Sequence, residues 1–148
     1  PEAQPPGYFG ITPLFIKNSV SGRFNDTIII AMGCDGMKYP TMAKAFIEKG
    51  AKAYIGWKGP VIASHTDEAT TQLLRKLIIE KQTIENAVKN TMKEVGPDPV
   101  YGSVLSFYPA EVGINKIPLN TYNTTFNVAT TCLSILQEKL LNVKIPRL

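Results

Sequence analysis

Histidine is nearly missing from this chain of 148 residues: His65 is the single one, and the two cysteines are Cys34 and Cys132. A structural zinc site needs about four such ligands gathered together, so no metal is expected. Two remote cysteines likewise give no disulfide framework. No apolar run approaches the roughly 20 residues of a membrane span, and no signal-peptide pattern opens the chain. A strong excess of one charge is absent too, with a net charge of +4. The lysines (among them Lys44, Lys49, Lys52, Lys58, Lys76 and Lys93) are scattered along the chain, not clustered into a stripe with interleaved aromatics. Nucleic acid is therefore not an expected partner. The tetrad Gly33-Cys34-Asp35-Gly36 lacks the Gly-Lys-Ser/Thr ending of a phosphate loop, and no cofactor is expected.

What is present describes one ordinary globular domain, with 44% hydrophobic and 19% charged residues. Residues 1–10 are rich in proline and glycine and read as an irregular lead-in. Thr12 caps a short helix with Pro13 in its first turn. Thr27 to Met32 is apolar at successive positions, the signature of a buried strand. Pro40 opens a helix whose Met42, Ala43, Phe46 and Ile47 share one face and which Gly50 ends. Ala51 to Trp57 is a second buried strand, followed by the break Gly56-Trp57-Lys58-Gly59-Pro60. Ser64 or Thr66 caps a long helix with Leu73, Leu74, Leu77 and Ile78 inward. Thr83 caps the next, with Ile84, Ala87, Val88 and Met92 inward, and Gly96-Pro97-Asp98-Pro99 stops it. Val100 to Tyr108 reads as an edge strand. Residues 114–148 read as a linker and a final amphipathic helix, Phe126 to Leu141, that holds Cys132 in its apolar stripe.

Strands alternating with helices predict an α/β fold with a mainly parallel central sheet and helices on both faces. Right-handed crossovers then bring the carboxyl ends of the two central strands to one edge, where such sheets do their chemistry. That places Cys34 beside the Gly56-Trp57-Lys58 turn. A thiol between two glycines at the end of a buried strand suits a nucleophile; the alternative is a small buried hydrophobe, common for free cysteine.

On these residues the chain resembles the caspase-like cysteine peptidases (clan CD), closest to the CHAT and separase types. Ile28 to Gly36 resembles their nucleophile strand, with Met32-Gly33-Cys34-Asp35-Gly36 at the position of Gln-Ala-Cys-x-Gly. Gly50 to Gly56 resembles the Gly-Ala strand, Trp57 the tryptophan beyond it, Asp67-Glu68-Ala69-Thr70 the acidic start of the next helix, and Ile79 to Val95 the paired-helix segment. The resemblance covers residues 12–113 and implies a three-layer caspase-like sandwich. It implies Cys34 as the nucleophile and the Gly33 and Cys34 backbone as oxyanion donors. Asp35, Trp57 and Asp67 become candidate substrate-binding residues, an acidic one favouring cleavage after Arg or Lys. Their alternatives are a turn residue, a core side chain and a helix N-terminal charge.

The family's base is a histidine about 50 residues before the cysteine, and only 33 residues precede Cys34. Pro1 is not a translation start, so an upstream segment or chain carrying that histidine is expected. This chain alone is then expected to be inactive. His65 follows the second strand and matches no base position of the family. A thiol of ordinary pKa, about 8.5, needs such a neighbour to become thiolate at neutral pH. Two rivals stand beside the peptidase: a non-catalytic scaffold of the same kind that binds a peptide or protein, and a small-molecule-binding domain using the same sheet edge. Asn25 and Asn123 are sequon positions, which weakly favour an extracytoplasmic over a cytoplasmic location and otherwise leave the compartment open.

Overall fold

The computed structural model describes residues 10–113 and a short strand at 127–129. Helix α1 (Pro13–Ser19) begins where Thr12 turns extended and its hydroxyl accepts the Phe15 N–H at 3.1 Å, with Pro13 in the first turn. Strand β1 is Ile28–Ala31, α2 is Thr41–Glu48 and β2 is Ala53–Trp57. Helix α3 (Ala63–Leu74) runs directly into a π-helical turn, Arg75–Ile79. Helix α4 (Ile84–Val95) is capped by Thr83, whose hydroxyl accepts the Asn86 N–H at 3.2 Å, and ends at Gly96 with φ +82°. Strand β3 (Leu105–Tyr108), a 3-10 turn (Ala110–Val112) and strand β4 (Asn127–Ala129) complete the described elements.

The sheet order is β3-β2-β1-β4. β1 and β2 are parallel, with Ile28 opposite Ala53 and Ala31 opposite Gly56. β2 and β3 are antiparallel, with Tyr54 opposite Tyr108 and Trp57 opposite Leu105. The three-residue β4 adds parallel to β1. Alternation along the strands sends Ile28, Ile30, Ala53 and Ile55 into a core with Leu73 and Leu77 from the α3 region and Ile84, Ala87 and Val88 of α4. Ile29 and Tyr54 join a smaller cluster with Ala43 of α2, against which Met42, Phe46 and Ile47 pack.

This corrects the predicted architecture. The described residues do not form the three-layer caspase-like sandwich around a mainly parallel sheet with helices on both faces. They form a small mixed α/β unit, in which the three principal strands make one parallel and one antiparallel pairing. The cause lies in the connections. A single helix between two strands returns the chain to its starting edge and makes them parallel. Two helices, α3 and α4, separate β2 from β3, so the chain comes back to the edge it left and β3 must run the other way.

Two local expectations also change. The long helix starts at Ala63, with Ile62 as N-cap and no side-chain capping bond, so neither Ser64 nor Thr66 caps it. Residues 127–129 form a strand where the start of a helix was expected. The rest of that expected helix, with Cys132, lies outside the described residues.

Candidate active site

Because β1 and β2 are parallel, the turns that leave them meet at one rim. The Asp35 N–H donates to the Gly59 carbonyl at 3.0 Å, and the Met37 N–H to the Trp57 carbonyl at 2.7 Å. Close packing makes this turn possible. A Cβ at Gly36 would sit 2.9 Å from the Ala31 carbonyl oxygen, and one at Gly56 would sit 3.0 Å from the same atom and 3.2 Å from the Gly36 carbonyl carbon. Gly36 therefore lets the turn fold back on β1.

Cys34 is exposed at this rim. Its thiol donates to the Val61 carbonyl at 3.4 Å, and the Val61 N–H donates to Sγ at 3.5 Å. The sulfur of this exposed residue is thus bracketed by both polar groups of Val61. Sulfur is a weak partner in both roles, so the bracket directs the thiol without locking it. Gly33 is half-buried, and among the described residues the Cys34 N–H has no hydrogen-bond partner.

The other candidates scatter. Asp35 is in the left-handed region at φ +60° and pairs with Lys38 at 3.6 Å. Both side chains are largely in water, where such a pair contributes little. Asp67 is exposed on α3, and its backbone carbonyl accepts the Thr71 hydroxyl. Trp57 is a correction: it has no exposed surface and belongs to the core, so its ring cannot wall a cleft. Its Nε1–H donates to the Thr66 hydroxyl at 2.9 Å, which in turn donates to the Met32 carbonyl at 2.7 Å. The chain ties the start of α3 to the end of β1.

His65 is buried, its ring 5.6 Å from that of Trp57, with Nε2 donating to the Gly96 carbonyl at 3.1 Å. It is a structural side chain. Two surface hollows, of about 480 Å³ along Arg75, Lys76, Gln82, Asn90 and Glu94 and about 440 Å³ along Thr12, Leu14, Lys17 and Lys44, do not border Cys34. Among the described residues no group of three or more His, Cys, Asp or Glu could hold a metal. No described helix is long and apolar enough to cross a membrane.

Asp98 stands in the sequence only as part of a helix stop. It is 2% exposed and one oxygen accepts the Ile62 N–H at 2.9 Å, the other the Val100 and Tyr101 N–H groups at 2.9 and 2.8 Å. Burial works to raise its pKa, but those three N–H groups and the nearby His65 charge outweigh it and hold the carboxyl below the usual range. An Asp two residues before N–H groups it can accept from is a turn signal that Gly96-Pro97-Asp98-Pro99 already carried.

No family model, no curated protein and no solved structure matches this chain. The class that fold and rim define is therefore a small mixed α/β unit with an exposed cysteine where two parallel strands end.

Proposed function

We propose that Cys34 is the nucleophile of a cysteine peptidase whose histidine base is supplied by another segment or chain, in line with the resemblance to the caspase-like peptidases in the residues around it. One observation carries the reading: Cys34 is an exposed residue at the strand rim, and its thiol is directed by the Val61 peptide groups. The thiolate attacks a peptide carbonyl carbon, the base passes its proton to the leaving amine, and water later releases the acyl group. The Cys34 N–H, without a partner among the described residues, is the group that would meet the oxyanion. Asp35 and Asp67, both exposed, are the acidic groups that a basic substrate side chain would meet.

A second reading, a non-catalytic scaffold that binds a peptide or protein, has its own support. The sole histidine is committed to Trp57 and Gly96 and is not a base in reserve.

The two are separated by labelling Cys34 with an acyloxymethyl-ketone peptide, alone and with a His-bearing upstream segment added. The peptidase reading expects slow labelling alone and acceleration by at least about 100-fold on reconstitution, the usual size of base catalysis. Labelling no faster than that of a free thiol in both arms would sink it and leave the scaffold.

A further inference from the structure

The segment Lys58–Ile62 links β2 to α3, and both of its sides are bonded. On one side Gly59 holds Asp35 through its carbonyl, and Val61 brackets the Cys34 sulfur. On the other side the Lys58 N–H donates to the Val104 carbonyl at 3.0 Å, and the Ile62 N–H donates to Asp98 at 2.9 Å. Gly59 also lies so close to the following loop that a Cβ there would sit 2.5 Å from the Ser103 hydroxyl oxygen. The loop is self-closed: Asp98 N–H donates to the Ser103 carbonyl at 2.9 Å and Gly102 N–H to the Asp98 carbonyl at 2.8 Å. The thiol is thus directed by a strip that is itself clamped by a buried carboxylate.

We propose that Asp98 is a positioning residue for Cys34: by accepting the Ile62 N–H it fixes the strip whose Val61 carbonyl and N–H aim the sulfur. Its role in catalysis rests on the peptidase reading above, but the aiming does not. Asp98 touches neither the sulfur nor a substrate. Its two oxygens divide the work, one holding its own turn at Val100 and Tyr101, the other reaching across to Ile62. Asp98→Asn separates them. The amide oxygen can keep the turn, while the amide N–H₂ faces the Ile62 N–H with no acceptor to offer.

The test is the infrared S–H stretch of Cys34 in the full chain, assigned by its loss in Cys34→Ala. A thiol that donates a hydrogen bond absorbs at lower wavenumber than a free one. Asp98→Asn is expected to move the band toward the free position, with helix content unchanged by circular dichroism. A shift in bonded population of about three- to tenfold is the scale of one lost hydrogen bond. Gly59→Ala, which pushes the strip through Ser103, is expected to move the band the same way, and adding Ser103→Ala to restore it. An unmoved band in folded Asp98→Asn overturns the proposal; should that variant not fold, an unmoved band in Gly59→Ala does so. Failure of the peptide probe to label Cys34 would instead sink only the peptidase reading, since the band needs no substrate.

Discussion

A methyl group at position 56 would meet backbone on two sides, the Ala31 carbonyl oxygen at 3.0 Å and the Gly36 carbonyl carbon at 3.2 Å, with Met37 Cγ at 3.2 Å as well. Backbone cannot rotate away as a side chain end can. Gly56→Ala is therefore expected to cost about 1–3 kcal/mol, the range for overpacking a tight site, whereas Gly22→Ala, with nothing within 4 Å, should stay within about 0.5 kcal/mol. Urea midpoints of the two variants check this, and equal midpoints would mean that the rim turn yields freely. Asp98 adds a pH signature. Its folded-state pKa lies below the ordinary 3.8, so its contribution to stability is present above that value and is lost as pH falls through the lower folded-state value. The stability gap between wild type and Asp98→Asn should be full at neutral pH and narrow below pH 3.8 in acid titrations of the unfolding transition. A gap that is the same at all pH values would mean that the carboxylate charge contributes nothing. Single residues were legible unevenly. The position of Cys34 followed from the apolar run before it. The burial of Trp57 did not, because it depends on α3 packing on β2 and on β3 pairing beside it, which no local pattern records.

The helices that read clearly in the sequence are those whose caps are local. Thr12 and Thr83 each accept an N–H three residues on, and both were readable from hydroxyl, spacing and the apolar stripe behind them. Helix α3 misled because its hydroxyl residues do other work: Thr66 bridges Trp57 and Met32, and the helix starts on an apolar N-cap. The direction of β3 is in principle legible, since two helices rather than one stand before it, but the alternation of strand and helix elsewhere points to a mainly parallel sheet and leaves the direction of that edge strand unmarked. Helix α4 packs Ile84, Ala87 and Val88 into the main core, so its cap is coupled to global stability. Thr83→Ala is expected to lower the unfolding free energy by about 0.5–2 kcal/mol, while Thr83→Ser should retain most of it. Chemical denaturation of both variants decides; a loss as large in the serine variant would assign the effect to the threonine methyl instead.

At the scale of the molecule, the two clusters do not share the load equally. The larger draws on β1, β2, β3, α3 and α4, with Leu73 and Leu77 fully buried at its centre. Helix α1 adds no residue to either cluster and rests against α2, where Lys17 pairs with Glu48 at 2.7 Å: Ile16 is its one buried residue, while Leu14 and Phe15 are exposed. An element with so little buried surface can open without the rest, and a mutation inside it can then cost no more than that local opening does. Leu73→Ala should therefore remove about 2–5 kcal/mol and, through global unfolding, speed amide exchange throughout β1, β2 and α4 by roughly thirtyfold or more. Ile16→Ala deletes a side chain of the same volume class, yet it should speed exchange in α1 alone and leave β1 and the Cys34 rim at wild-type rates. Hydrogen exchange followed residue by residue reads both variants in one experiment. Acceleration of β1 by Ile16→Ala to the same degree as by Leu73→Ala would place α1 inside the cooperative unit, and the rim that carries Cys34 would then depend on a helix that shares only one buried side chain with the fold.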